Sequence, residues 1–267
     1  SRDWSSDVCS SDLDTASDNV NVSPRTYVGW QWQAGQGTTS SNTNGSVTST
    51  VSVSTTAGFS ISTWTAPTSG NWTIGHGLGV APSFIITKSK SAGGWIIYHS
   101  ALGNTKWLEF TTAAAQTGTS FPFNSVSPTS TLITYGNATS WGASANFVTY
   151  SWAEITGFSK FGSYTGNSST DGPFIYTGFR PKFVLFKISS GSTGNWFILD
   201  TSRSTYNEAV NLLNPDTADA AADVSPFIDI LSNGIKIRRN SVGLNNSGYT
   251  YIYAAFAEHP FKISNAR

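Results

Sequence analysis

Residues 79–88 read GVAPSFIITK, and the same pattern returns at residues 178–187 as GFRPKFVLFK. Each stretch places a glycine and a proline before a run of apolar residues and ends on a lysine. Short apolar runs between turn residues are typical of central strands that are covered on both faces. The two stretches therefore predict equivalent β-strands in two halves of the chain.

Further segments recur in the same order around this pair, which indicates a tandem duplication. The matching segments are FSISTWT at 59–65 and FSKFGSYT at 158–165, GWIIY at 94–98 and NWFIL at 195–199, and NFVTYSWAE at 146–154 and TYIYAAFAE at 250–258. We expect a first repeat over residues 59–157 and a second over residues 158–267, each about 100 residues long.

The sequence before the first repeat is interpreted in two parts. TYVGWQW at 26–32 has the form of the closing strand of a repeat, so residues 14–35 are predicted to be the last strand of a truncated third repeat. Residues 36–58 are rich in Gly, Ser and Thr and predict a linker. Valines in alternation predict a short strand near residues 47–53 within that linker.

The extreme N-terminal segment reads as foreign to the protein. Residues 3–13, DWSSDVCSSDL, match the in-frame translation of an adapter used in short-read sequencing libraries. We interpret residues 1–13 as an assembly artefact and leave them out of the fold prediction. The single cysteine, Cys9, lies in this segment, so the remaining sequence offers no disulfide and no thiolate ligand or nucleophile.

The predicted fold class is all-β. In the first repeat, β-branched and aromatic residues form short runs that Gly, Pro, Asn and Ser separate. The predicted strands are 60–65, 71–74, 83–89, 95–99, 106–111, 131–135 and 146–155. Helix is predicted only at 207–213 and 217–223. This spacing favours two tandem β-sandwich repeats of jelly-roll or concanavalin-like form, preceded by the remnant of a third.

The composition excludes several classes of function. The chain of 267 residues is neutral, with 15 basic and 15 acidic side chains, and only 11% of its residues are charged. Such a chain lacks the basic surface that binds nucleic-acid phosphates. It also has no apolar run of the ~20 residues that a membrane helix requires, so we expect no membrane insertion. Low charge with 13% aromatic residues predicts an extracellular or virion surface.

Several strings of the sequence resemble a known module. These strings are HGLGVAP at 76–82, WIIYHSALG at 95–103, DGPFIYTGFRP at 171–181 and FAEHPFK at 256–262. The chain resembles, over residues 26–267, a β-rich module of tail-fibre-like and other structural proteins of marine bacteriophages. That family is mainly of unknown function. The resemblance implies a virion location and a surface role, and it supplies no catalytic residues.

Candidate metal-binding and catalytic histidines are few. His76 lies in a Gly-rich turn and His99 follows a predicted strand, and neither has a second ligand at the short spacing typical of metal sites. In the second repeat the position of His76 is assigned to Ile175 and that of His99 to Asp200. We expect turn or rim histidines, no metal and no cofactor.

The acidic residues also give little support for an enzyme. Glu154 and Glu258 are shared by both repeats and are expected to pair with a lysine or to cap a turn. Other acids have no counterpart in the other repeat: Glu109, Asp200, Glu208 and Asp229. The cluster of Asp216, Asp219 and Asp223 is expected to be a solvated insert, with a calcium loop as the alternative.

Tryptophans are abundant and form the candidate binding site. Trp95 and Trp196 occupy the same repeat position in apolar strands, so we expect both in the core. Rings next to Asn and Thr suit the C–H faces and hydroxyl groups of sugars. The candidate ligand-binding residues are Trp72, Trp107, Trp141, Asn137 and Asn167. The alternative for these tryptophans is that their rings fill the space between sheets.

These observations lead to an expected function. We expect a non-enzymatic bacteriophage virion structural protein, a tail-fibre or appendage module that contacts a host-surface glycan or protein. Its other partners would be virion proteins, with further copies of this chain as an additional option. The alternatives are a purely architectural spacer of a virion fibre and a secreted bacterial adhesin. A depolymerase or peptidase built on a sandwich is the competing enzymatic class.

Overall fold

The computed structural model describes residues 27–91, 93–217, 219 and 221–257, and in these residues the protein is all-β, as predicted. The strands are β1 (Ser40–Asn42), β2 (Ser49–Ser54), β3 (Phe59–Thr65), β4 (Trp72–Gly75), β5 (Phe84–Ser89), β6 (Trp95–His99), β7 (Lys106–Trp107), β8 (Gln116–Thr117), β9 (Leu132–Tyr135), β10 (Asn146–Trp152), β11 (Ser159–Thr165), β12 (Phe174–Tyr176), β13 (Pro181–Ser190), β14 (Trp196–Asp200), β15 (Ala209–Leu212), β16 (Ala222–Leu231), β17 (Gly234–Ile237) and β18 (Thr250–Ala257). The helical elements are α1 (Ala138–Trp141), α2 (Val242–Asn245) and a 3₁₀ turn (Ser100–Leu102).

The first half of the chain forms a large sheet covered on one side by a small one. Sheet I has the strand order β1-β2-β3-β10-β5-β6, and sheet II consists of β4 and β9. All neighbouring strands in both sheets are antiparallel. Alternate residues such as Ile85, Phe147 and Trp64 face sheet II and bury their side chains against Ile74 and Ile133.

The second half has a similar arrangement of strands with a larger covering sheet. Sheet III has the order β11-β18-β13-β14, which corresponds strand by strand to β3-β10-β5-β6 of sheet I. Sheet IV has the order β12-β17-β16-β15, and its first two strands correspond to β4 and β9. The register corresponds as well, because Phe84 lies opposite His99 in sheet I and Phe183 lies opposite Asp200 in sheet III.

Sheets I and III pack against each other through the faces that their covering sheets leave open. Phe84 stacks on Phe161 at 5.8 Å between ring centroids, and Trp152 meets the edge of Phe256 at 6.4 Å. Every residue of β18 from Tyr251 to Phe256 is buried, which shows that both faces of sheet III are covered. The halves therefore share an apolar interior across their junction.

A loop of the first half adds polar contacts to this junction. The Nε1 of Trp196 donates to Glu109 O at 2.7 Å, and Gly194 N donates to Thr112 O at 2.9 Å. The ring of Phe110 packs on Trp196 with centroids 5.1 Å apart. The loop thereby covers the end of the β13–β14 hairpin.

The two predicted helices were wrong. Ala209–Leu212 is strand β15, and Ala222 and Asp223 belong to strand β16. Ala209 pairs with Ile228 in sheet IV and Leu212 is buried, so tertiary pairing overrides the local helix propensity. The short helices α1 and α2 precede the closing strand of each half and were not predicted.

The segment before β3 has both regular and irregular parts. The short strand expected near residues 47–53 is present as β2, and β1 also lies in the stretch expected to be a linker. Residues 27–35 contain no strand. Residues 1–13, and residues 14–26 of the predicted upstream strand, lie outside the described residues.

Candidate functional site

The three tryptophans expected at a binding rim are buried. Trp72, Trp107 and Trp141 are exposed by 3%, 8% and 8%, so the prediction of an exposed rim was wrong. Trp72 stacks on Tyr135 at 5.5 Å, and Trp141 packs on Phe121 at 5.3 Å. Sheet II has only two strands, so large rings fill the space over sheet I, as the alternative interpretation held.

The two asparagines of the predicted site lie in different halves and serve local structure. Asn137 adopts φ 58° before α1, and its backbone N donates to Asn71 Oδ1 at 3.0 Å. Asn167 is exposed, but its Oδ1 accepts from Ser169 N at 3.0 Å and from Asn245 Nδ2 at 3.1 Å. The structure does not bring the five predicted residues together on one surface.

His99 is a buried turn residue at the junction of the two halves. Its Nδ1 accepts from Ala101 N at 3.1 Å, so Nε2 carries the proton and donates to Tyr253 O at 3.0 Å. Burial lowers the pKa of His99 to about 4. Both ring nitrogens are bonded to backbone, so neither is free to bind a metal.

His76 has the same pattern of bonds at the end of β4. Its Nδ1 accepts from Leu78 N at 3.2 Å and its Nε2 lies 3.1 Å from Thr129 O. In the second half, Thr177 accepts from Phe179 N at 3.4 Å in the corresponding turn. The position of His76 therefore corresponds to Thr177, and the assignment to Ile175 was wrong. His76 is a turn residue, as predicted, although it is buried and not at a rim.

The acidic residues make structural pairs. Glu154 bonds Lys160 at 2.6 Å, which confirms the predicted lysine partner, while Glu258 lies outside the described residues. Asp216 accepts from Trp196 N at 3.2 Å. No group of three or more His, Cys, Asp or Glu side chains that could hold a metal occurs in the described part of the chain.

The paired tryptophans of β6 and β14 differ in exposure. Trp196 is 1% exposed, as predicted, but Trp95 is 39% exposed, so the prediction that both lie in the core was half wrong. Both tryptophans lie on edge strands, and the ring of Phe110 packs on each of them, at 5.1 Å from Trp196 and at 5.7 Å from Trp95. Trp196 in addition donates from Nε1 to Glu109 O at 2.7 Å.

The structure shows an exposed aromatic pair that the sequence analysis missed. Phe174 and Tyr176 in β12 are exposed by 47% and 64%, while Ile175 between them is buried. Phe174 lies over Gly234 of β17, where a Cβ atom would collide with its ring. The alternation of FIY after Pro173 is the signal in the sequence for a strand with one exposed face.

Charged side chains border this aromatic pair. Lys236 lies opposite Phe174 in the register and bonds Asp171 at 2.6 Å. Asp229 lies opposite Lys236 and bonds Arg238 at 3.3 Å. We call this outer face of sheet IV the β12 surface; its residues are Asp171, Phe174, Tyr176, Asp229, Lys236 and Arg238.

The corresponding strand of the first half, β4, is covered by residues 42–49. Val47 N donates to Thr73 O at 3.0 Å, and Val47 forms a parallel bridge with Ile74. Thr73 N donates to Ser46 Oγ at 3.0 Å, and Ser49 Oγ donates to Gly75 O at 2.6 Å. The backbone groups on the outer edge of β4 are thus bonded to an extended segment of the same chain.

The outer edge of β12 has no such cover in the described residues. Ile237 N donates to Pro173 O at 3.1 Å and Thr177 N donates to Asn233 O at 3.0 Å, so alternate residues of this strand face β17. The backbone groups of Phe174 and Tyr176 point to the other side. No hydrogen bond within the described residues uses them. Phe174 and Tyr176 correspond to Thr73 and Gly75.

These observations define an all-β protein of packed antiparallel sheets in which an open strand edge lies beside an exposed aromatic pair. The chain belongs to the family described as "domain of unknown function (DUF7483)", whose model matches residues 4–260. Comparison with curated proteins gave no match, and comparison with solved structures gave none either. Among the described residues, no helix is long and apolar enough to cross a membrane.

Proposed function

We propose that the chain is a non-enzymatic structural module of a bacteriophage virion, part of a tail fibre or a similar appendage, that contacts a glycan or protein on the host surface. The resemblance of its sequence strings to modules of marine bacteriophage structural proteins supports the virion location. The low fraction of charged residues and the all-β fold support an extracellular role. The aromatic pair of the β12 surface supplies the contact.

The proposal includes a tandem duplication of a sandwich of the jelly-roll or concanavalin-like kind. The equal strand orders of sheets I and III support this, as does the equal register of Phe84 with His99 and of Phe183 with Asp200. In this interpretation the first copy keeps a covering segment over β4, and the second copy has lost it. Only six residues, 153–158, separate β10 from β11.

The single observation that carries the contact role is the exposure of Phe174 and Tyr176. Large rings that remain in water on a flat sheet are unfavourable unless a partner removes them from water. At the corresponding positions the first half has Thr73 and Gly75 under a covering segment. Polar groups of Lys236 and Asp229 beside the rings provide hydrogen bonds to hydroxyl or peptide groups of a ligand.

Binding of the labelled chain to a panel of marine bacteria tests this function. The wild-type chain is expected to bind saturably to susceptible cells, and the double variant Phe174→Ala/Tyr176→Ala to lose at least tenfold in affinity, because it removes both rings. Tyr206→Ala is the matched control, since Tyr206 is almost fully exposed in a loop far along the sequence. Saturable binding to no cell, or equal binding by the double variant, would contradict the proposal.

A further inference from the structure

We propose that the outer edge of β12 binds an extended strand of another polypeptide chain, which runs parallel to β12 and carries small polar side chains and a glycine. This inference rests on the proposed contact function and specifies its partner as protein. The binding mode is strand addition, in which backbone hydrogen bonds supply affinity and alternate side chains supply specificity.

The first step of the argument is the free edge itself. The backbone N–H and C=O groups of Phe174 and Tyr176 point away from β17 and have no partner among the described residues. An unpaired strand edge is a template for a further strand. Ile175 is buried between them, so the edge is held in register by the core and needs no rearrangement to accept a strand.

The second step is the precedent inside the same chain. On β4, Thr73 O accepts from Val47 N, Thr73 N donates to Ser46 Oγ, and Gly75 O accepts from Ser49 Oγ of an extended segment. All three acceptors or donors on β4 are backbone groups, and β12 presents the same groups at Phe174 and Tyr176. A strand with this bonding pattern therefore fits both edges, whatever side chains the edges carry.

The third step is the chemistry of the strand that fits. A Cβ atom at Gly45 would collide with the carbonyl oxygen of Thr73, so the chain that crosses the edge needs glycine there. A Cβ atom on Gly75 would collide with the side chain of Asn42. Because Tyr176 stands at that position in β12, a partner strand there has no counterpart of Asn42. The partner is thus a strand rich in Gly and Ser whose extended part begins after the position that corresponds to Asn42.

The fourth step is the contrast with the neighbouring edge of sheet III. Strand β11 is also an edge strand, but the carboxylate of Glu154 accepts from Phe161 N at 3.4 Å and bonds Lys160 at 2.6 Å. Charged groups on an edge prevent further pairing. The second half therefore protects the β11 edge and leaves the β12 edge open, which favours strand binding at β12 over β11.

The test is a titration of the isotope-labelled full chain with a synthetic peptide of residues 44–54, followed by amide chemical shifts and hydrogen exchange. This peptide contains Gly45, Ser46, Val47 and Ser49 and omits Asn42. At millimolar peptide we expect saturable shifts and at least tenfold slower exchange at the amides of Phe174 and Tyr176. The same peptide with Gly45→Val is the control and is expected not to bind, because its Cβ meets the edge carbonyl.

Two variants of Phe174 separate the contribution of the backbone edge to peptide binding from the contribution of the aromatic ring. Phe174→Pro removes the outward N–H without removing a ladder bond and is expected to abolish peptide binding. Phe174→Ala also removes the ring but keeps the N–H, so it is expected to bind the peptide more tightly than Phe174→Pro. Absence of saturable shifts, or equal binding of the Gly45→Val peptide, would overturn strand addition. If cells still bind through the rings while the peptide does not, the partner is a glycan and only this inference fails.

Discussion

The Nε2 of His99 donates a hydrogen bond of 3.0 Å to the carbonyl oxygen of Tyr253 and thereby joins sheet I to sheet III. The two residues are far apart in the sequence and belong to different halves of the chain. The ring is a neutral imidazole, because its Nδ1 accepts from Ala101 N at 3.1 Å. Protonation of Nδ1 removes that acceptor and places a charge in the buried junction.

The first prediction concerns the pH dependence of stability. Burial lowers the pKa of His99 to about 4, below its ordinary 6.5, so the unfolded chain binds a proton more readily than the folded one. The free energy of unfolding therefore falls as the pH drops from 6.5 towards 4, by about 3 kcal/mol from this residue. Urea denaturation at a series of pH values measures it.

The variant His99→Gln isolates this contribution, because glutamine does not titrate. It is expected to be less stable than wild type at pH 7 and to show a shallower loss of stability on acidification. The remaining slope includes His76, whose pKa burial also lowers. A wild-type chain and a His99→Gln chain with the same slope would contradict the assignment.

The second prediction concerns the buried tryptophans of the first half. Trp141→Ala removes a ring that packs on Tyr135 at 5.1 Å and on Phe147 at 5.5 Å, and is expected to cost about 3–5 kcal/mol of unfolding free energy. Tyr206→Ala, at an exposed ring, is expected to change it by less than about 0.5 kcal/mol. Chemical denaturation measures the free energy of unfolding of both variants. A Trp141→Ala chain as stable as wild type would contradict the burial of this ring.

The third prediction concerns Lys187 under the covering loop. Its Nζ donates to Thr111 O at 2.9 Å and to Gly194 O, and burial lowers its pKa to about 8. Between pH 8 and 10 the unfolded chain binds more protons at this residue, so stability is expected to rise with pH in that window.

Thermal unfolding at pH 8 and pH 9.5 measures this rise. Lys187→Met is expected to abolish the part of this rise in stability that Lys187 causes. Lys88→Met is the matched control, because Lys88 occupies the corresponding position, donates to Gly93 O at 2.8 Å and is not enclosed by the loop. A Lys187→Met chain whose stability rises with pH as much as that of wild type would rule out Lys187 as the cause.

The fourth prediction concerns the protected edge of β11. Glu154→Val removes the carboxylate that accepts from Phe161 N and leaves Lys160 without this partner. The variant is expected to self-associate at concentrations where the wild-type chain does not, because it opens the edge to pairing. Light scattering measures the association. Glu154→Gln keeps an acceptor and is expected to associate less, and equal behaviour of all three chains would show that Glu154 does not protect the edge.

The strands of this fold are visible in the sequence because each combines an apolar run with turn residues at both ends. Both GVAPSFIITK and GFRPKFVLFK lie where they were predicted, as β5 and β13. Residues 207–213 were misread because Ala and Leu there favour helix locally, while their burial against β16 favours strand. That pairing partner lies in a later segment, and no local pattern reveals it.

The binding site was harder to predict because exposure depends on which segment covers a strand. Trp72 in β4 and Trp107 in β7 have polar neighbours in sequence, yet both are buried in the core of the first half. Phe174 and Tyr176 look like ordinary strand residues, and they are exposed because no segment like residues 42–49 precedes β11. The presence or absence of a cover is a property of the tertiary fold.

The burial of β18 from Tyr251 to Phe256 has a consequence for assembly. With both faces of sheet III occupied, the described part of the second half offers further copies or partners its narrow strand edges and the outer face of sheet IV. Narrow contacts of this kind bind weakly one at a time. An appendage that presents many copies side by side would hold its target through avidity, with rapid exchange at each copy and slow release of the whole.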